Sequence, residues 1–264
     1  MPTDHERAFA FQQWVLAATS TRTQPMPWGT AYFHDRFPLR YDANMAIADR
    51  PLGATPADDV VAALDEAYGS FRHREVEFGS ATDADAIAMG MAEHGYAIER
   101  LSVMALTRDP DRRGDLAATD ELDLEAYRPF VVANTRSEAW GREPGIAESM
   151  AEFRGELVRG VGARFFAQRI DGAPAGACEL YLRDDVAQIE DVSTLPEHRG
   201  RGVARNVVLR AAEEARAAGA SFVFLFADAD DWPRHLYTRL GFDEVGQSRL
   251  FTRFPEGTSR TEGG

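Results

Sequence analysis

One string constrains the chain more than any other: Val192-Ser193-Thr194-Leu195-Pro196-Glu197-His198-Arg199-Gly200-Arg201-Gly202-Val203-Ala204. It reads as the end of a strand, a loop punctuated by two glycines, and the first turn of a helix. The glycines give the backbone φ values that other residues resist and let a ligand come close. Unpaired N–H groups at a helix start, at the positive end of the dipole, make an anion site. Arg199, Arg201 and Arg205 bring positive charge to the same place. That combination suits a pyrophosphate. It is not a dinucleotide fingerprint, because the G-x-G-x-x-G spacing is missing, and no P-loop Gly-Lys-Ser or Gly-Lys-Thr is present.

The local charge stands out because the chain is otherwise acidic. There are 43 Asp and Glu against 29 basic residues, a formal charge of -14, and every one of those basic residues is arginine. Lysine chemistry is therefore excluded. The charge argues against DNA, RNA and anionic lipid surfaces as partners. A single cysteine, Cys178, excludes an intrachain disulfide and a Cys-based metal cluster. Within the strand 176–180 it reads as a small buried hydrophobe. The histidines show no metal-ligand spacing, so no metal is expected. The start, Met1 to Arg7, lacks the basic and apolar regions of a signal peptide. No apolar run reaches the roughly 18 residues a membrane span needs. The expected location is cytoplasmic.

Residues 108–120 are polar and rich in breaking residues, a linker composition. They separate an N-terminal part, 1–107, from a C-terminal part, 121–254, and a tail, 255–264, has nothing apolar to anchor it. The C-terminal part predicts a helix over 144–159, three meandering strands (163–169, 175–182, 187–195), a long helix from 203, a buried strand 221–226, a short helix 232–240 and a final strand 242–253. This order gives an α+β fold, an α/β/α sandwich on one mixed, mostly antiparallel sheet. Shifting the N-terminal part by 146 residues places Gly95-Tyr96 on Gly241-Phe242, the helix 57–68 on the long helix, and 73–79 on the strand 219–225. The element order and spacing read as a degenerate duplication.

Arg199 to Ala204 resembles the (Gln/Arg)-x-x-Gly-x-(Gly/Ala) motif of the GNAT superfamily of acyl-CoA-dependent N-acyltransferases. Leu236-Tyr237-Thr238-Arg239-Leu240-Gly241-Phe242 is similar to a second motif of that family. The resemblance covers about 140–253 and implies a GNAT fold in two tandem copies. It implies acetyl-CoA as acyl donor, its pyrophosphate held by Arg199, Gly200, Arg201, Gly202, Val203, Ala204 and Arg205, and its pantetheine alongside Val192, Ser193 and Thr194. Tyr237 matches the family tyrosine that protonates the leaving thiolate; its bland alternative is packing on Phe224 or Phe226. A family contact expected of asparagine falls on Asp230, which puts that contact in doubt. Trp232 and Pro233 read as helix-start and packing residues.

For the general base, strand alternation puts Val186, Gln188, Glu190, Val192 and Thr194 on one face. Gln188 cannot take a proton; Glu190 can, if burial raises its pKa. Asp191 points the other way in this reading, and Glu179 is a cross-strand candidate. In the N-terminal copy the position of Tyr237 is Met91, and the loop is Gly53 to Asp58, without arginine. That copy is expected to wall the acceptor cleft. Trp28, Tyr32, Phe33, Phe37 and Tyr41 could line it or pack in a core. Two functions stay open: an N-acetyltransferase acting on a small-molecule or peptide amine, the cationic kind favoured by the acidic surface, and a non-catalytic acyl-CoA-binding regulatory module. The sequence does not state an oligomeric state.

Overall fold

The structure is a computed structural model and describes residues 2–255. Of the tail 255–264, all but Pro255 lie outside the described residues. The described residues contribute eleven strands to one sheet, in the order β1-β2-β3-β4-β11-β5-β10-β9-β8-β7-β6. Neighbours run antiparallel except two pairs, β3 (Ala46–Ala48) with β4 (Arg74–Phe78), and β9 (Val186–Thr194) with β10 (Phe222–Asp228). The parallel pairs occupy matching places in the two halves, as the duplication requires. Helices cover both faces: α2 (Ala57–Ala67), α3 (Ala81–Glu93), α6 (Val203–Ala217) and α7 (Pro233–Arg239) on one, α1 (Asp4–Thr19), α4 (Leu124–Ser137) and α5 (Ile146–Val161) on the other. The expected three-layer α/β/α sandwich is present.

The sequence explains most of these elements. In α6, Val203, Val207, Val208, Ala211 and Ala215 recur at helical spacing and are buried against the sheet. Arg210, Glu213 and Glu214 pair on the outer side. Gly219, at φ 94°, takes the left-handed conformation that ends the helix. α1 begins with a reciprocal cap, in which the Glu6 amide donates to Thr3 Oγ1 and the Thr3 amide donates to the Glu6 carboxylate. The span read as linker ends in structure: Thr119–Leu122 is β6, an edge strand on β7 (Arg164–Ile170), because Thr119 and Leu122 turn inward.

Chain order and sheet order part company at the centre. The last strand of the N-terminal part, β5 (Ala97–Leu106), pairs with β10 of the C-terminal part. The last strand of the C-terminal part, β11 (Phe242–Arg253), pairs with β4 of the N-terminal part. β5 and β11 pair with each other. Phe251 of β11 is buried among Val76, Phe78 and Leu64, and Met104 of β5 among Phe166, Leu180 and Phe242. Each core is therefore completed by a strand belonging to the other copy in chain order. β1 (Arg22–Met26), β2 (Gly29–Phe33) and β8 (Ala173–Arg183) complete the sheet.

One expectation fails on β9. Glu179 faces Glu190 and Ala177 faces Ser193, so Asp191 and Val192 together oppose Cys178. This is a β-bulge, and Asp191 sits at φ 49°. The bulge shifts the alternation by one residue. Gln188 and Glu190 share the α5 face, but Val192 packs on the α6 side with Ile189, and Asp191 turns to the face of Glu190. Val192 and Thr194 are thus not on the Glu190 face, and Asp191 does not point away from it.

Phe251→Ala tests the exchanged strands. It should cost about 3–5 kcal/mol, the range for a truncated core phenylalanine. Hydrogen exchange should show the lost protection in β4 and α2, remote in sequence from the change. Loss confined to residues after 121 would contradict the pairing.

Candidate active site

Pairing between β9 and β10 is short: Val186 with Phe222, Ala187 with Val223 and Gln188 with Phe224. Beyond these the strands diverge. The opening is a cavity of about 210 Å³ lined by Glu190, Asp191 and Val192 on one strand and Phe226 to Asp228 on the other, with Tyr237 of α7 at its side. Past Gln188, the edge of β9 toward β10 has no strand partner, so its peptide groups there are open to a ligand. The Ser193 and Thr194 hydroxyls are buried without a partner.

The loop that follows has the geometry its sequence suggests. Gly200 (φ 78°) and Gly202 (φ 81°) are both left-handed, and Gly202 caps α6. The first capping bond runs from the Asn206 amide to the Gly202 carbonyl, which leaves the amides of Val203, Ala204 and Arg205 unused at the helix start. Arg205 folds back under Gly202, where a Cβ would meet its guanidinium at 2.5 Å, and its Nε has no partner. Arg199 donates to the Thr194 carbonyl at 3.3 Å and to Glu138 at 3.4 Å, while Arg201 is exposed.

Asp230 is placed elsewhere. Its carboxylate pairs with Arg100 of β5, whose Nε lies 3.0 Å away, and this partner holds its pKa below the usual range. It lines none of the cavities described here. Trp232 sits at the start of α7 as expected, but it is 63% exposed and does not pack. Tyr237 packs edge-on to Phe242 rather than on Phe224 or Phe226. Burial, reinforced by the nearby Glu190 charge, raises its pKa, so it keeps its proton at neutral pH.

Four acids approach the opening with different environments. Glu179 is buried and receives three donors: Arg154 Nε at 2.7 Å, the Tyr127 hydroxyl at 3.2 Å and the Tyr181 hydroxyl. Asp191 is held by Arg154 Nη2. A carboxylate so occupied has little capacity for a substrate proton, which removes Glu179 as the base. Glu190 accepts from Gln188 Nε2 at 2.6 Å and, among the described residues, pairs with no arginine. Burial, then the adjacent Asp191 charge, raises its pKa to about 7. Asp228 lines the far side of the opening.

The opening joins a second cavity of about 370 Å³ under α1 and α5, through shared walls at Glu190, Asp191 and Asp228. A third, about 400 Å³, lies between α4, α5 and residues 39–42, with Tyr41 and Trp140 on its walls. Asp191 borders all three. Trp28, Tyr32, Phe33 and Phe37 are core residues; Tyr41 alone of that group reaches a cavity. Met91 is buried in the N-terminal core. Sequence reasoning missed Arg154, Gln12 and Glu77, and it set Asp191 on the wrong face. The pair Glu190-Asp191 inside an apolar strand was a visible signal, whereas the other three lie far from any motif.

Among the described residues no cluster of His, Cys, Asp or Glu could hold a metal ion, and no helix is long and apolar enough to cross a membrane.

Residues 121–242 match the model described as the acetyltransferase (GNAT) family. An uncharacterized N-acetyltransferase of Methanocaldococcus jannaschii is 27% identical over 155 residues, which are 56% of this chain and 62% of that protein. A conserved protein of unknown function from Staphylococcus epidermidis superposes with TM-score 0.66 at 16% identity, covering 88% of this chain and 93% of that one. A GCN5-related N-acetyltransferase from Kribbella flavida gives TM-score 0.61 at 20% identity, with 95% of both chains covered. A tandem GNAT protein from the clavulanic acid biosynthesis pathway gives 0.53 at 15% identity, over 98% of both. At these identities the superpositions speak for fold alone. The match to the acetyltransferase (GNAT) family thus lies in residues 121–242, and the whole chain shares the fold of the solved GNAT proteins it superposes on.

Proposed function

We propose that the protein is an N-acetyltransferase that moves an acetyl group from acetyl-CoA to the amine of a small molecule or peptide, by direct attack with both substrates bound. The parting of β9 from β10, with Glu190 and Tyr237 on its border, carries this reading. The residues present fit the donor. Unused amides at the start of α6, the unpartnered Arg205 Nε, and the buried Ser193 and Thr194 hydroxyls all lack partners that an anionic, amide-bearing ligand supplies.

Acetyl-CoA supplies an electrophilic thioester carbonyl and a thiolate leaving group. The loop Arg199–Arg205 holds its pyrophosphate, and Val192 to Thr194 flank its pantetheine arm. Glu190 takes one proton from the acceptor ammonium and so bares the nitrogen lone pair. The nitrogen attacks the carbonyl carbon and the C–S bond breaks. Tyr237 gives its phenolic proton to sulfur and is reprotonated from solvent. The remaining excess nitrogen proton leaves as the amide forms. A phenol held protonated beside a carboxylate poised near neutrality is a matched acid and base. Glu179 and Arg154 act as positioning residues that hold β8 and α5 around them.

Two measurements test the reading. Acetyl-CoA should raise the melting temperature of the wild type, and Gly202→Glu should lose that shift. The new side chain would be strained at a left-handed φ and bring a negative charge to the pyrophosphate site. Binding without thiol release against any amine would favour a regulatory module over the enzyme.

Glu190 must be deprotonated to act, so activity should rise with pH through about 7. Glu190→Gln should lose that acidic limb, with kcat reduced about 10²-fold or more. Tyr237→Phe should cost a similar factor while keeping the limb. Full activity in Tyr237→Phe would place the acid elsewhere.

A further inference from the structure

We infer that the acceptor is an elongated dication, an aliphatic diamine or polyamine, gripped at one end by Gln188 and Glu190 and at the other by Gln12 and Glu77. This rests on the proposed acetyl transfer and adds the chemical class of the acceptor.

The cavity of about 370 Å³ contains two glutamine–glutamate pairs of the same construction. Gln188 Nε2 donates to Glu190 at 2.6 Å, and Gln12 Nε2 donates to Glu77 at 2.6 Å. An ionised carboxylate only accepts, so each glutamine must turn its NH₂ toward its glutamate. The amide oxygen is then left over. Both leftover oxygens, Gln12 Oε1 and Gln188 Oε1, are buried and have no partner. Gln188 itself is only 5% exposed. A buried acceptor without a donor is costly, and an ammonium brings three donors to a place that offers an amide oxygen beside a carboxylate.

The charges of the cavity point the same way. Its two arginines are committed to other acids: Arg40 pairs with Asp42, and Arg154 with Glu179 and Asp191. Neither forms an ion pair with Glu77 or Glu190. Glu77 accepts from Ser248 Oγ at 2.6 Å, and its neighbour Glu75 accepts from Thr252 Oγ1 at 2.8 Å, both neutral donors. Burial holds both Glu77 and Glu190 near 7, as expected of carboxyls that have not met their cation.

Between the two pairs the wall is apolar: Val15, Leu16, Met45, Leu101, Phe226 and Leu250. Polar ends with an apolar waist fit a methylene chain carrying an amine at each end. Glu77 stands on β4 and Glu190 on β9, with β11, β5 and β10 between them. Three paired steps of about 4.8 Å carry β4 to β10, roughly 14 Å, and Glu190 lies farther still, across the β9–β10 opening, less the reach of the side chains toward one another. A compact monoamine can engage one pair only. The Glu190 end borders the β9–β10 opening, so that nitrogen is the one acetylated. The distal nitrogen remains an ammonium on Glu77.

Acetyl transfer to a series of α,ω-diaminoalkanes, spermidine and n-alkylamines of matched length tests this on the whole protein. The expected result is an optimum in diamine length, with kcat/KM about ten-fold or more above the matched monoamine. Glu77→Gln should collapse that ratio to near one, chiefly through KM, and Gln12→Leu, a change on a half-exposed helix position, should lower it in the same direction. Equal use of diamine and monoamine by the wild type, or a preference that survives Glu77→Gln, would overturn the inference.

Calorimetry with the CoA-loaded protein separates the two readings. Tighter binding of diamine than monoamine without turnover keeps the dication site and sinks the proposed reaction. Turnover of monoamines and diamines alike does the reverse.

Discussion

Pairing of β9 with β10 ends at Gln188 and Phe224, and the site exists because it ends there. A continuous parallel pair would close the 210 Å³ opening and leave Glu190 an ordinary face residue. The bulge at Asp191 helps to lead β9 away and swings a second carboxylate toward α5. An aspartate in a left-handed conformation is tolerated more easily than most residues, yet it still costs on the order of 1 kcal/mol. The peptide groups left open along β9, worth about 0.5–1.5 kcal/mol each when paired, are the ones a ligand can use. The same divergence delivers the chain to the glycine loop at the start of α6.

Glu179 and Glu190 are direct cross-strand partners, and like charges at that spacing repel. The structure resolves the conflict by treating them differently. Glu179 is saturated by Arg154, Tyr127 and Tyr181 and serves as an anchor tying α5 and α4 to β8. Removing one partner from a buried pair of this kind costs about 3–5 kcal/mol, because it strands the other charge. Glu190 receives an amide donor and no cation. Identical side chains thereby acquire separate duties from their surroundings alone.

Much of this was legible in the sequence, for identifiable reasons. Helical and strand periodicity placed α6, α7, β7 to β10 and the glycine loop within a few residues, because each is set by local chemistry. The 146-residue offset matches α2 to α6, α3 to α7 and β5 to β11. The pole at Gln12 and Glu77 was not legible. It depends on α1 crossing from the first copy onto the second, and on β11 entering the sheet beside β4, both tertiary choices that no local pattern records. Asp191 was misplaced because strict alternation cannot foresee a bulge. Asp230, conspicuous for standing where asparagine was expected, turned out to serve an ion pair with the other copy.

The exchange of β5 and β11 has a mechanical consequence. Two copies joined only by a linker could swing apart to admit a substrate and shut upon it. Here any such swing would tear Leu250 and its neighbours from β4, or Val103 and its neighbours from β10. The cleft between the copies is therefore braced by the sheet itself rather than hinged at a linker, and its width is set by the strands that cross it.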